Sequence, residues 1–337
     1  MRLLVLRALG LGDLLTGLPA LRALAGAFPD HHQVLATTAA VAPLAGHAGV
    51  GDEVLVSEPL GAVSWIGPPP DVAVNLHGRG PQSHRALLAI RPRRLLAFAN
   101  ATVAVDGPQW CEEEHEVHRW CRLLSECGIA ADPSRLGIDP PEGVEPPAPA
   151  RGATLLHPGA ASPSRRWPPE RWAEVARAEA AAGRSVVITG GPDEVGLASG
   201  VAARAGLPPS AVLAGATTVL DLAATVAAAG RVVCGDTGVA HLATALGRPS
   251  VVLFGPVPPH LWGPPPDRPQ HIALWAGRTG DPHGRTVDPG LLEISVEDVV
   301  GGLQDLSAPS SAVPTATSRS SRHGGATSCT PTGSVPV

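Results

Sequence analysis

The chain has 337 residues, a hydrophobic fraction of 44% and a formal net charge of −5. That length allows two domains with cores of their own, and the acidic balance argues against a nucleic-acid-binding protein, whose footprint is a basic patch. Lys and Tyr are absent and only three Phe occur, so the cores must be built from Val, Leu and Ala, and any cationic contact to a phosphate must come from Arg.

From the N-terminus, Leu3–Leu6 is a short apolar run that predicts a strand, followed by a Gly-rich loop and a helical pattern over Asp13–Ala27. Strand, turn, helix is the opening unit of an α/β sheet. Arg7 interrupts the apolar run, Gly10, Gly12 and Asp13 follow at once, and no small-residue cleavage site is present, so the segment does not read as a signal peptide. Gln33–Thr37, Glu53–Val56, Asp71–Leu76 and Arg94–Ala97 predict further strands, with helices over Pro81–Ile90 and Glu116–Cys127.

Asp139–Gly152 is rich in proline (140, 141, 146, 147 and 149) and predicts an interdomain linker. Alternation then restarts. Strands are expected at Ala153–His157, Ser185–Thr189, Ala211–Leu213, Arg231–Cys234 and Ser250–Phe254. Helices are expected at Pro169–Ala182, Val195–Ala205, Leu220–Ala229, Val239–Leu246 and Val296–Leu306. This pattern predicts an α/β fold with two Rossmann-like, doubly wound parallel sheets facing across a cleft. The domains are expected at 1–138 and 153–306, joined by 139–152. A tail at 307–337, made largely of Ser, Thr, Pro and Gly, is expected to be disordered.

No stretch reaches the ~18 apolar residues of a membrane helix, which leaves peripheral membrane association open. The five cysteines, at 111, 121, 127, 234 and 329, form no close-spaced metal pair and no simple disulfide framework. Neither a metal site nor a cofactor is expected, and reduced thiols suit a cytoplasmic location.

Three loops carry candidate chemistry. Cys234-Gly235-Asp236-Thr237-Gly238-Val239-Ala240-His241 joins a strand to a helix. Its small residues let backbone N–H groups approach a ligand at a partly positive helix end, which suits a diphosphate. It is equally a helix cap by Asp236 or Thr237, with His241 a surface residue. His157-Pro158-Gly159-Ala160-Ala161-Ser162-Pro163-Ser164-Arg165-Arg166-Trp167-Pro168 also follows a strand. It wraps one phosphate while an Arg neutralises another, or it is an exposed turn with solvated arginines. Gly10-Leu11-Gly12-Asp13 lacks the third glycine and distant acid of the dinucleotide fingerprint. Asp13 is placed either to accept a proton from a hydroxyl at the cleft or to cap the first helix. In the first domain, Asn75, His77 and Arg79 at a strand end offer an amide, an imidazole and a guanidinium to an acceptor. Trp110 and the acidic run Glu112–Glu116 form either a cleft lip or the solvated start of a helix.

Taken together and in order, GLGD (Gly10–Asp13), HPGAASPSRRWPPERW (His157–Trp172), GGPDE (Gly190–Glu194) and GDTGVAHLATALGRPSVVLFGP (Gly235–Pro256) resemble glycosyltransferase family 9, the heptosyltransferase family. That family carries a GxGD loop, a PG…K-x-WP segment and a D-[TS]-G-x-x-H-L-A segment. The resemblance implies the GT-B fold, an ADP-heptose donor, and inversion at the anomeric carbon without an obligatory metal. It implies Asp13 as general base and Arg165 as a catalytic and donor-binding cation, standing where the family usually has Lys. Donor contacts are implied at Gly12, Gly159, Ser162, Asp236, Thr237, Gly238 and His241, with Glu194 on the ribose. The acceptor is expected to be a glycan, glycolipid or small molecule. The alternatives are a GT-B-type nucleotide-sugar epimerase or hydrolase, or a nucleotide-sugar-binding protein without activity.

Overall fold

The computed structural model describes residues 1–59 and 61–306; the tail expected to be disordered lies outside the described residues. The first half contains β1 (Arg2–Leu6), α1 (Leu11–Ala27), β2 (His32–Thr37), α2 (Ala42–His47), β3 (Glu53–Val56), β4 (Val72–Asn75), α3 (Gln82–Ala89), β5 (Arg94–Leu96) and α4 (Glu116–Glu126). Its strands form one sheet in the order β3-β2-β1-β4-β5, every pair parallel. Leu3, Leu4 and Val5 of β1 are fully buried. A central parallel strand is covered on both faces, which is why its sequence is a continuous apolar run rather than an alternation.

The second half contains β6 (Thr154–His157), α5 (Pro169–Ala181), β7 (Val186–Ile188), α6 (Val195–Ala205), α7 (Val219–Ala228), β8 (Arg231–Gly235), α8 (Gly238–Ala245), β9 (Ser250–Phe254), α9 (Pro259–Trp262), β10 (His271–Trp275), α10 (Pro289–Glu293) and α11 (Val296–Asp305). The sheet order is β10-β9-β8-β6-β7, again all parallel. In each sheet the winding reverses between two neighbouring strands, β1 and β4 in the first and β6 and β8 in the second. Ligands of open α/β sheets bind outside the carboxyl ends of the strands at such switch points.

Two elements depart from expectation. The strand expected at Ala211–Leu213 is a 3-10 turn over Pro209–Ala211 with a single bridge from Val212 to Ile188. Pro208 and Pro209 fix the backbone and withhold two donors, so no ladder extends. Conversely, β10 was not expected. It is an edge strand beside β9, three of its five residues half-buried and one exposed, and no helix follows it directly to complete the alternation.

The Pro-rich segment 139–152 is irregular apart from a 3-10 turn over Ala148–Ala150. It does not divide the apolar interior. Leu14, Leu15, Leu18 and Leu21 of α1 belong to the same continuous core as Leu242 and Ala245 of α8, and the two helices pack directly on each other.

Candidate active site

The switch points of the two sheets face one another across a cleft of about 580 Å³. Gly10, Leu11, Gly12 and Asp13 line it from the end of β1, His157, Ala161 and Arg165 from the end of β6, and Asp236, Thr237, Gly238 and His241 from the end of β8. Glu194, Trp262 and His283 complete the wall.

The N-termini of α1 and α8 abut at this cleft. A Cβ on Gly238 would lie 2.7 Å from the Cβ of Leu11 and 3.1 Å from the backbone nitrogen of Gly12, and one on Gly12 would lie 2.8 Å from Cδ2 of His241. Any side chain at either position would push the two helix ends apart. Each end carries unpaired N–H groups and about half a positive charge, so their convergence favours an anion. Thr237 occupies the N-cap of α8, but its side chain makes no capping bond and its hydroxyl is buried without a hydrogen-bond partner.

Asp13 holds both of the positions that the sequence offered as alternatives, the helix cap and the cleft wall. Its Oδ2 accepts the N–H of Gly10 at 3.2 Å, closing the first turn of α1, and the residue also lines the cleft. Burial pushes its pKa up; the Arg7 guanidinium opposes that rise and the Glu116 carboxylate adds to it. Across the cleft, Asp236 is buried and its pKa is likewise raised by burial against the pull of Arg165. Arg165 Nη1 lies 3.5 Å from Asp236 Oδ2 and donates to the Asp236 carbonyl at 3.3 Å, while its Nε is buried without a partner. Burial holds His241 at a pKa of about 4, so the ring is neutral near pH 7. The Trp262 ring meets it edge-on, 5.8 Å between centroids.

Other expected site residues are placed differently. Glu194 lines the cleft, and its Oε2 accepts the Gly191 N–H at 2.8 Å. Gly159 leaves room for that carboxylate, since a Cβ there would fall 2.1 Å from Glu194 Oε1; it is a spacer behind the wall. Ser162 is the N-cap of a 3-10 turn and is not part of the lining. The acceptor trio is not brought to the cleft wall either. Asn75 is fully buried, with Nδ2 donating to Ser83 Oγ at 2.9 Å and Oδ1 accepting the His77 N–H at 3.0 Å, so its amide holds the turn after β4. His77 is half-buried and kept neutral by burial, with a pKa of about 4, and Arg79 is exposed and paired with Glu112.

Sequence reasoning missed the buried layer beneath Asp13. Arg7, expected only to interrupt an apolar run, is 1% exposed, and Glu116, expected at a cleft lip or on a solvated helix start, is 4% exposed. Trp110 packs against Phe98, 5.1 Å between ring centroids, and lies under Arg119. A charged residue at the end of a fully apolar strand is the signal that could have pointed to this layer. Among the described residues no group of acidic, His or Cys side chains could hold a metal, and no helix is long and apolar enough to cross a membrane.

Comparison with known proteins bears on the family and the fold. The chain is 30% identical over 156 residues to lipooligosaccharide heptosyltransferase 2 of Haemophilus influenzae, an alignment that takes in 43% of this chain and 44% of that protein. The chain therefore spans less than half the length of this curated relative. Among solved structures, a glycosyl transferase family 9 protein of Veillonella parvula superposes with a TM-score of 0.76 at 22% identity, covering 90% of this chain and 96% of that one. ADP-heptose lps heptosyltransferase II of E. coli gives 0.72 at 20% identity, covering 91% and 98%. Both share the two-domain architecture of this chain. Residues 91–285, more than half of the chain, match the family model for glycosyltransferase family 9 (heptosyltransferase). Those residues hold Arg165, Glu194, Asp236 and His241, whereas Asp13 lies outside them, and on this match the chain belongs to glycosyltransferase family 9, the heptosyltransferase family.

Proposed function

We propose that this protein is an inverting glycosyltransferase that moves a sugar, heptose from ADP-heptose, onto an acceptor hydroxyl. The observation that carries the reading is that one carboxylate, Asp13 in the first turn of α1, shares the cleft with a built anion site at the end of α8 on the facing domain. That site consists of the N-terminus of α8, which abuts the end of α1, with the unpartnered Thr237 hydroxyl and Arg165.

In this reading the donor's diphosphate sits at the α8 terminus, and Glu194 takes the ribose. The acceptor oxygen attacks the anomeric carbon from the face away from the leaving ADP. As the bond to the diphosphate breaks, negative charge grows on the leaving oxygen, and the helix-end N–H groups with Arg165 stabilise it; losing one such donor costs roughly 100- to 1000-fold in turnover. The Asp13 carboxylate, which lines the cleft, takes the acceptor's proton. The raised pKa of Asp13 makes it a stronger base than a solvated carboxylate. Relatives named for lipooligosaccharide and lipopolysaccharide support a glycolipid acceptor, and this reading places the reaction in the cytoplasm.

The test is calorimetric titration of the purified chain with ADP, UDP, GDP and NAD in metal-free buffer. Clear preference for ADP is expected. Preference for UDP or GDP would discard the ADP-heptose donor, and binding of NAD alone would overturn the transferase reading.

A further inference from the structure

Beneath the first turn of α1 lies a cluster of three ionised side chains, almost entirely out of water. Arg7, Glu116 and Arg119 are 1%, 4% and 6% exposed. Arg7 Nε donates to the carbonyl of Asp13 and Nη1 to the carbonyl of Leu76. Its Nη2 donates to Thr16 Oγ1 at 3.0 Å and to Glu116 Oε1 at 3.2 Å. One guanidinium thus ties the end of β1, the start of α1, the turn after β4 and the start of α4 to a single point. Its face rests on the Trp120 ring, 4.9 Å from the centroid. The helix above it is notched to make room, since a Cβ on Gly17 would meet Arg7 Nε at 2.6 Å and Cδ at 2.7 Å.

Glu116 is held in turn. Its Oε1 accepts Trp120 Nε1 at 2.7 Å and its Oε2 accepts Arg119 Nη1, while Arg119 Nη2 reaches the carbonyls of Glu112 at 3.1 Å and Glu114 at 2.7 Å. Two guanidinium groups and one carboxylate leave one positive charge in excess, and a buried charge is tolerated only when it is balanced. The Asp13 carboxylate, on which the Arg7 guanidinium acts directly, is a group able to balance it.

We propose that the Arg7–Glu116–Arg119 cluster is a positioning device for Asp13, fixing its backbone at the mouth of β1 and supplying the single positive charge that its carboxylate balances. The inference rests on the general-base reading of Asp13 but concerns a different set of atoms. Other charged or titratable groups face Asp13 as well. His241 on α8, with His115 before α4, is neutral near pH 7, and Arg165 and Asp236 across the cleft pair with each other. His157, Glu194 and His283 line the far wall. The cluster is therefore the source of net charge on the protein side of Asp13. A guanidinium with an opposed carboxylate also makes the device adjustable: Arg7 draws Asp13 toward ionisation and Glu116 draws it back.

The test is a carboxyl-carbon NMR titration of the full chain, with the Asp13 resonance assigned by its loss in Asp13→Asn. Arg7→Met should raise the titration midpoint of Asp13 by about one pH unit or more, and the isosteric Glu116→Gln should lower it. Arg7→Lys should return the midpoint toward that of the wild type, because it restores the charge without the fork of contacts. A merely structural cluster would lower the melting temperature in these variants and leave the midpoint in place. That outcome would overturn the inference, and if Arg7→Met does not fold, Glu116→Gln alone decides. The base reading fails separately, if Asp13→Asn releases ADP from ADP-heptose as fast as the wild type.

Discussion

Asp13 shows why a residue's role here is set by what surrounds it. Its Oδ2 closes a helix turn while the residue also lines the cleft, so capping does not exclude the base role proposed for it. Asp13→Asn preserves shape and removes the proton acceptor. Turnover should fall by roughly 100- to 10,000-fold, while the dissociation constant for ADP, measured by calorimetry, stays within a few-fold of wild type. An unchanged turnover number would remove Asp13 from the mechanism. The motifs that flag Asp13, Arg165 and Asp236 were legible because each lies within a short strand–loop–helix segment, where spacing alone fixes neighbours. Arg7 was harder to read: a cation ending an apolar strand is a signal of burial, but its partner Glu116 is 109 positions away, so no local pattern names what it meets. Asn75 misled for a similar reason. An amide at a strand end points equally well to a ligand or to the next turn, and here the turn took both of its ends.

Among the elements, α1 and α8 matter most, because their ends make the site. Helix propensity alone says that Gly238→Ala should favour α8, by up to about 1 kcal/mol. Packing says the opposite, since the new methyl would meet the Cβ of Leu11 at 2.7 Å. We expect packing to win: Gly238→Ala should bind ADP at least about tenfold more weakly by calorimetry, and wild-type affinity would show that the two helix ends need not touch. The elements themselves were largely visible in the sequence, because buried parallel strands announce themselves as short apolar runs. The failures, a 3-10 turn after two prolines and the edge strand β10, are places where the run is three residues long or only half covered.

At the scale of the whole molecule, burial sets the pH range of stability. His77, His241 and His271 are each pushed by burial to a pKa of about 4, below the ordinary 6.5. Between those values the unfolded chain binds protons that the folded chain refuses, so stability is complete above pH 6.5 and is lost as the pH falls toward 4. The melting temperature should therefore drop steeply over that interval. His271→Gln, which lies outside the cleft, should flatten part of the drop, and an equal slope in the variant would remove His271 from the account. The two sheets were readable from sequence, but how they join was not. Composition marked the Pro-rich segment, but no local feature reveals that α1 and α8 would fuse two sheets over one interior.

That fusion has a mechanical consequence. Two sheets on a bare linker can gape like jaws, but jaws that share packed helices cannot open without exposing the leucines between them, at about 25 cal/mol for each Å² of apolar surface uncovered. The movement left to them is shear, a slide of α1 over α8 by fractions of a side chain. The radius of gyration measured by solution scattering should then barely change when ADP binds, and a large contraction would mean that the shared interior comes apart in every catalytic cycle.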